Sequence, residues 1–277
     1  MMNIPAQLRL DNAANIYPAS LSKHYSSLYR MSVTLDAPVD GAVLQEALER
    51  VSARIPTFRC GLEDGLFWWY LRRLDRAPQV TPLAPLRPFR FEDYGGQLFR
   101  VSADGERIVL DVFHALTDGS GAKTFLLSLA AEYLRRRHGI SIPSGGCILD
   151  PDEAPVFAEV EDSFKTFFSG RKGHLERNDS AYQSPGTVLS DYGLRDTCFE
   201  LDETAVREAC CLRGCTVTEL LSTLLLCALQ EQYRFDPGAR SSSVVKVSVP
   251  VNLRPLYASR SLRNFSSYVN LGADVGR

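Results

Sequence analysis

The sequence predicts an α/β fold in two layers, in which a mixed sheet is covered by long helices. Residues 28–36 have the pattern of a strand and precede a helix that Asp40 opens. Two Asp-Gly pairs lie between apolar runs, which is typical of β-hairpins. A long amphipathic helix then ends at His138. Because hairpins make neighbouring strands antiparallel, we expect a mixed sheet rather than an all-parallel one.

The first helix is predicted from one apolar stripe and from signals at both of its ends. Asp40 is a residue type that caps helix N-termini, and Pro56 disfavours helical geometry at Ile55. The helix therefore has to stop before Pro56. Side chains three and four positions apart share one helix face, which predicts burial of Leu44, Ala47, Leu48 and Val51.

Two hairpins are predicted after the first helix. Thr57–Leu62 and the aromatic run Phe67–Tyr70 form the first, and Leu98–Ala103 and Arg107–His114 form the second. An Asp-Gly pair suits a two-residue turn in which both central residues have positive φ. The connector between the hairpins is predicted to be irregular because it carries four prolines, Pro78, Pro82, Pro85 and Pro88.

The second helix is predicted to run from Asp118 or Ser120 to His138. Its buried stripe consists of Phe125, Leu126, Leu129, Ala130, Tyr133 and Leu134. Basic side chains, Arg135–Arg137 with His138, fill the last turn and complement the negative end of the helix. Gly139 then supplies a left-handed stop.

The remaining chain is predicted to be a long crossover followed by a second α/β segment. Residues 140–196 are rich in Pro, Gly, Ser and Asp, with one helix near 158–168. The later elements are a strand at 197–201, a helix opened by Asp202, a helix at 220–233 capped by Thr216 or Thr218, and strands at 243–251 and 265–271. We therefore divide the chain into 1–140, 141–196 and 197–277.

Composition excludes several classes of protein. A length of 277 residues predicts two domains at about 150 residues each. Lysine and arginine total 31 against 33 acidic residues, so we expect no nucleic-acid partner. No apolar run reaches the roughly 20 residues of a membrane helix. The first seven residues lack the basic and apolar regions of a signal peptide, and we expect a cytoplasmic protein.

The cysteines predict reduced thiols and no metal centre. Seven is an odd number that fits no disulfide framework. Cys210, Cys211 and Cys215 form the one cluster, and the nearest histidines, His138 and His174, lie far upstream. Zinc sites need about four ligands at recognisable spacings, so small apolar packing groups are favoured over a metal site.

His114 differs from the other histidines. His138 ends a helix, His174 lies in a charged loop, and His24 has no acid or nucleophile beside it. His114 ends an apolar strand, on the face of Ile108, Leu110 and Val112, and Asp118 follows four residues later before a helix. This arrangement suits a general base. The residues alone leave open a core histidine, with Asp118 only capping the helix and Gly119 and Gly121 only shaping the turn.

A family resemblance favours the catalytic interpretation. The run 113–119, Phe-His-Ala-Leu-Thr-Asp-Gly, resembles the HHxxxDG motif of the chloramphenicol acetyltransferase-like superfamily, which includes alcohol acetyltransferases and peptide-synthetase condensation domains. Residues 10–18 resemble the opening of bacterial alcohol-acetyltransferase-like proteins. Residues 250–255 and 263–270 resemble segments that follow the family's crossover. The matches span residues 10 to 270 in the family's order.

The resemblance implies two similar α/β halves with a tunnel between them. The first half would end near residue 140 and the second would begin near Thr197. The family's DFGWG segment is absent from the second half. Asp191–Arg195 imitates it but precedes the helices that should come first, so we do not assign it that role. We therefore expect the second half to be incomplete, as in a fragment or truncated product of a longer acyltransferase.

The resemblance also implies roles for single residues. His114 would be the general base, and Asp118 would fix the loop through an ion pair with an arginine. Arg254 is the first choice for that partner, with Arg263 and Arg260 behind it. Gly119 would let the thioester approach the imidazole. Phe113 replaces the first histidine of the motif, and strand alternation turns it away from His114.

The activity implied by the resemblance is acyl transfer from a CoA thioester to a small alcohol or amine. Acyl-CoA is then a substrate, and no tightly bound cofactor is expected. No phosphate-binding glycine motif is present to support this directly. Two alternatives stay open. A condensation-type enzyme would take its donor from a carrier protein, and a truncated chain could be a non-catalytic interaction module. A homo-oligomer also stays open as the partner arrangement.

Overall fold

The described chain forms two compact units. The computed structural model describes residues 5–23, 25–170, 180–187, 189, 197–236, 238 and 242–275. The first unit combines the described residues of Met1–Ser169 with Asn252–Ser266. The second combines those of Gly170–Ser190, Arg195–Val251 and Ser267–Arg277. Segment 252–266 thus packs with the first unit although it comes late in the sequence, and the units do not follow the sequence-based boundaries at 140 and 196.

The mixed α/β architecture predicted from sequence is confirmed. The strands are β1 (Gln7–Arg9), β2 (Leu28–Thr34), β3 (Cys60–Asp64), β4 (Trp69–Arg73), β5 (Val80–Pro82), β6 (Phe99–Asp104), β7 (Arg107–Phe113), β8 (Val244–Asn252) and β9 (Ser266–Asp274). The α-helices are α1 (Ile16–Ala19), α2 (Gly41–Arg54), α3 (Gly119–His138), α4 (Ser163–Thr166), α5 (Glu203–Arg213), α6 (Val217–Phe235) and α7 (Arg254–Tyr257).

A four-stranded mixed sheet forms the centre of the first unit. Its order is β2-β7-β6-β5, with antiparallel pairs except for the parallel β5–β6 pair. Six residues of β7, from Ile108 to Phe113, are buried, because this strand lies inside the sheet with neighbours on both sides. A separate antiparallel sheet, β1-β4-β3, belongs to the same unit. The central position of β7 fixes the loop that follows it.

The two long helices of the first unit begin and end where the sequence predicted. The Asp40 carboxylate accepts from two α2 amides, and Leu44, Ala47, Leu48 and Val51 are buried. Asp118 caps α3 in the same way, and Gly139 ends it in the left-handed conformation at φ 64°. The core includes Phe58 stacked on Phe125, with ring centroids 3.9 Å apart. Local capping chemistry thus sets the limits of both helices.

The two hairpin loops differ from the prediction. The first loop has four residues, and the Gly65 N–H donates to Trp68 O at 3.0 Å. Residues 56–59 before it form a 3₁₀ turn, because Pro56 favours a helical first turn. In the second hairpin Asp104 pairs with Arg107, so the loop residues are Gly105 and Glu106. Of these two, only Gly105 has positive φ, 58°.

Three other expectations are corrected. Residues 158–168 do not form one helix, because the Asp162 carboxylate caps Lys165 N–H and starts a new turn, α4, after a 3₁₀ turn at Phe157–Glu159. No strand forms at 197–201, where Phe199 is 83% exposed and no described strand pairs with it. The proline-rich connector contributes the short edge strand β5.

The second unit consists mainly of α5, α6 and the two-stranded sheet β8-β9. Asp202 caps α5 and Thr216 caps α6, as predicted. Several leucines on α6 are exposed, including Leu221, Leu224 and Leu225. Within the described residues no single helix has the length and apolar character to cross a membrane, although α5 and α6, bent by 86°, pass that test as a pair.

Candidate active site

His114 follows the last residue of the buried strand β7. Its backbone N–H donates to Ser27 O at 2.8 Å, which holds the chain after the strand ends. The imidazole ring stacks on Tyr17, with centroids 4.3 Å apart and an interplanar angle of 19°. Phe113 instead stacks on Phe89 at 4.4 Å inside the core. His114 and Phe113 thus contact different parts of the unit, and Phe113 packs in the core.

Asn264 fixes the orientation and the tautomer of the His114 ring. The Asn264 Nδ2 donates to the His114 backbone carbonyl at 3.0 Å. A carbonyl can only accept, so the Asn264 Oδ1 must face the ring, where it lies 3.1 Å from Nδ1. Nδ1 therefore carries the proton and Nε2 carries the lone pair. No described residue forms a hydrogen bond with Nε2.

The surroundings of His114 favour its neutral form. Burial lowers the pKa of His114 below the ordinary 6.5, because a charged ring loses solvation. The hydrogen bond to Asn264 and the charge of Asp118 act in the opposite direction, but burial has the larger effect. The ring is half-buried rather than sealed in the core. A neutral imidazole with a free lone pair is the form that can accept a proton near neutral pH.

Asp118 is saturated with hydrogen bonds from two parts of the chain. Its Oδ1 accepts from Ser120 N–H and Gly121 N–H, both at 3.1 Å, at the start of α3. Its Oδ2 accepts from Arg254 Nη1 and from Phe265 N–H, both at 2.9 Å. The carboxylate therefore ties the loop after β7 to segment 252–266, and it has a structural position rather than one facing a substrate.

Arg254 is the arginine that pairs with Asp118, as the resemblance implied. It also donates from Nε to Ser261 O at 2.6 Å and from Nη2 to Arg263 O. The two other candidates have different partners. Arg263 lies 3.4 Å from Asp11, and Arg260 lies 3.7 Å from Glu159. One guanidinium thus holds segment 252–266 in place beside the His114 loop.

The two glycines after Asp118 should respond differently to alanine. A Cβ at Gly121 would lie 2.1 Å from Thr117 Oγ1 and 2.2 Å from Leu262 O, whereas a Cβ at Gly119 would meet no atom within 4 Å. We expect Gly121→Ala to lower the free energy of unfolding by about 1–3 kcal/mol or more, and Gly119→Ala to leave it within about 0.5 kcal/mol.

Urea denaturation followed by tryptophan fluorescence measures this difference. If Gly119→Ala unfolds as easily as Gly121→Ala, the described packing around α3 is wrong. Because no protein atom needs Gly119 to be small, a loss of activity in the stable Gly119→Ala variant would report a substrate that approaches this position.

Sequence reasoning missed three residues around His114. They are Asn264, Tyr17 and Tyr29, whose hydroxyl donates to Thr117 O at 3.1 Å and whose ring centroid lies 5.0 Å from that of His114. Burial raises the pKa of Tyr17 to about 12, so this side chain is uncharged at neutral pH. Tyr17 and Asn264 lay inside segments that resemble the family, and that was the one signal that could have found them.

Other sequence-based candidates contribute nothing to this site. His24, His174 and Asp191–Arg195 lie outside the described residues. The clustered cysteines, Cys210, Cys211 and Cys215, belong to α5 and the turn after it, with Cys210 buried and Cys211 exposed. Among the described residues no three metal-ligating side chains cluster. None of the three cavities described for the first unit is lined by His114.

Comparison with curated proteins finds two related chains. No family model matches this sequence. The chain is 30% identical over 173 residues to the uncharacterized proteins Rv2305 and MT2362 of Mycobacterium tuberculosis. The match covers 60% of this chain and 39% of those proteins. The chain thus spans about two fifths of the length of the curated relatives it matches.

Comparison with solved structures shows the fold. The X-domain from teicoplanin biosynthesis matches with a TM-score of 0.57 and 16% identity, over 99% of this chain and 67% of that chain. F. graminearum TRI101 complexed with coenzyme A and T-2 mycotoxin matches with a TM-score of 0.60 and 11% identity, over 98% and 70%. Polyketide synthase associated protein 5 from M. tuberculosis matches with a TM-score of 0.57 and 14% identity, over 96% and 67%.

The chain shares its fold with these structures, which confirms the α/β fold class predicted from sequence. At identities of 11 to 16% the likeness concerns the fold and not the reaction.

Proposed function

We propose that this protein transfers an acyl group, such as acetyl, from a CoA thioester to a small alcohol or amine. The observation that carries the proposal is the His114 ring, which stacks on Tyr17 and faces the Asn264 oxygen with a protonated Nδ1, while burial lowers its pKa and favours the neutral form. This leaves Nε2 to act as the base. A coenzyme A ligand in a protein of the same fold supports the choice of donor.

The reaction needs one base and one fixed loop. Nε2 of His114 takes the proton of the hydroxyl or amine as its oxygen or nitrogen bonds to the thioester carbonyl carbon. The tetrahedral intermediate collapses, the carbon–sulfur bond breaks, and the leaving thiolate takes the proton from the imidazolium. The products are an ester or amide and free CoA. Asn264 keeps the ring in the required tautomer, while Asp118 and Arg254 hold the loop.

Acetyl-CoA offered with a panel of small alcohols and amines tests the proposal. The release of free thiol should depend on the acceptor, and mass spectrometry should find the acetylated product. Incubation without an acceptor measures hydrolysis as a control. A complete absence of transfer across the panel, with protein that is folded by circular dichroism, would contradict transfer from a CoA thioester.

A condensation-type enzyme is the alternative within the same chemistry. It would use the same base but take its acyl group from the phosphopantetheine of a carrier protein. Acetyl groups offered on coenzyme A and on a carrier protein distinguish the two. Transfer from the carrier thioester alone would favour the condensation-type enzyme.

A protein-binding module is the second candidate function. The exposed leucines of α6, Leu221, Leu224 and Leu225, favour it, because exposed apolar groups on one helix face suit a protein contact. An X-domain of the same fold was solved in complex with OxyB. An inactive chain that binds a partner protein through this face would support this function.

The pH dependence of transfer should report the depressed pKa of His114. We expect kcat/KM to fall on the acid side with an apparent pKa below 6.5, because burial lowers the pKa of the free ring. Asp11 also titrates in this region, since burial raises its pKa to about 6. The Asp11→Asn variant should therefore keep the acid limb in the same place. If the acid limb disappears in Asp11→Asn, it reports the titration of Asp11 and not that of His114.

The free energy of unfolding is a poorer measure of the His114 titration, because His114 and Asp11 change it in opposite directions as the pH falls. Below pH 6.5 the unfolded chain protonates His114 first, so stability is lost as the pH falls towards the lower folded pKa. Asp11 gains a proton in the folded state near pH 6, so its contribution rises as the pH falls towards the unfolded value of 3.8. The rate profile separates the groups and the unfolding profile does not.

A further inference from the structure

A cavity with an excess of positive charge lies beside the loop that holds the proposed base. Its volume is about 430 Å³, and it lies entirely within the first unit. This volume falls within the roughly 300–1,000 Å³ of small-molecule sites. Its walls come from the first two turns of α3, from residues 146–149 and from residues 252–262, with Ser120, Lys123, Arg254 and Arg260 among them.

The charges around this cavity do not balance. The positive charge of Arg254 is offset by Asp118 at 2.9 Å. Glu159 is the one acidic side chain in the wall, and both of its oxygens accept from Arg54, at 2.6 and 2.8 Å. Its contact with Arg260 is long, 3.7 Å, and Arg260 is 64% exposed. Lys123 forms no ion pair with a described residue. The charges of Lys123 and Arg260 are therefore available to a ligand.

An anion in this cavity would be held by side chains rather than by the helix end. The amides of Ser120 and Gly121 already donate to Asp118. The hydroxyl of Ser120 has no described acceptor and can donate. An ammonium, a guanidinium and a hydroxyl around one space suit phosphate oxygens, which accept several charge-assisted hydrogen bonds.

We infer that this cavity binds the phosphate-bearing end of the pantetheine thioester donor, through Lys123 and Arg260. The inference rests on the proposed function, because it assigns the far end of the same donor. The wall begins at Ser120, next to Gly119, where a Cβ would meet open space. A flexible pantetheine arm that leaves the cavity at Ser120 would pass Gly119, which has no side chain to obstruct it.

Calorimetric titration with coenzyme A in the absence of any acceptor tests this inference. We expect the Kd to rise by about tenfold in Lys123→Glu and in Arg260→Glu, and by more in the double variant, because each change removes a charged contact. Arg137→Glu makes the same charge reversal on an exposed residue at the far end of α3 and should leave the Kd unchanged. The double variant should also raise the KM for acetyl-CoA more than it lowers kcat.

Two competitors identify the source of the phosphate. Displacement of coenzyme A by adenosine 3′,5′-bisphosphate supports a nucleotide end, as in free CoA. Displacement by 4′-phosphopantetheine, without displacement by adenosine 3′,5′-bisphosphate, supports the phosphodiester of a carrier protein. The inference is overturned if neither compound competes, or if the double variant binds coenzyme A as the unaltered protein does. Binding is read without turnover, so a failure of acyl transfer does not alter this result.

Discussion

Replacing His114 by alanine should lower the rate of acetyl transfer by about 10²–10⁴-fold, the usual contribution of a positioned general base. The alcohol or amine would then attack while still carrying its proton. Among the described titratable side chains near the ring, Asp118 is saturated with hydrogen bonds, and burial raises the pKa of Tyr17 to about 12 and that of Tyr29 well above its usual value, so none of them can substitute for His114. The initial rate of free CoA release measures the loss.

His138 provides the matched control for this variant. It is an exposed histidine in the last turn of α3, so His138→Ala should keep the full rate. The KM for acetyl-CoA should change little in His114→Ala, since the ring is assigned to proton transfer rather than to donor binding. A His114→Ala protein that transfers acetyl groups at the rate of the unaltered chain would remove the general base from the mechanism.

Much of the fold could be predicted because its signals are local. Asp40, Asp118 and Thr216 cap helices through amides two or three residues away, and Gly139 ends α3 on its own backbone preference. The strand predicted at 197–201 does not form, because strand formation depends on contacts that are not local. A strand needs a partner, and alternation along one segment does not indicate whether an edge is available.

The site was less accessible to sequence reasoning because its contacts join distant segments. Asn264 lies 150 residues from His114, and no periodicity connects an amide with a ring over that distance. Arg254 was identified as the partner of Asp118 from the family resemblance and not from spacing. Tyr17 stacks on His114 from a four-residue helix that is too short to have a pattern of its own. Tertiary packing, rather than propensity, brings these side chains together.

Asp118→Ala should have the largest effect on stability, about 3–5 kcal/mol, because it leaves the guanidinium of Arg254 buried without its partner. The two side chains are only 5% and 13% exposed. The change also removes the cap of α3 and the acceptor of Phe265 N–H. Both tryptophans, Trp68 and Trp69, lie in the first unit, so their fluorescence in urea follows the unfolding of the unit that holds this pair.

A double-mutant cycle separates the ion pair from the cap. Arg254→Ala should also destabilise strongly, but the double variant should cost clearly less than the sum, because no unpaired charge remains buried. The control is the exposed ion pair of Glu46 with Arg136, 2.8 Å apart in the same unit. Glu46→Ala should lower the free energy of unfolding by no more than about 1 kcal/mol. An Asp118→Ala cost as small as that would mean that the pair does not hold segment 252–266. The position of Asn264, and with it the tautomer of His114, would then need another cause.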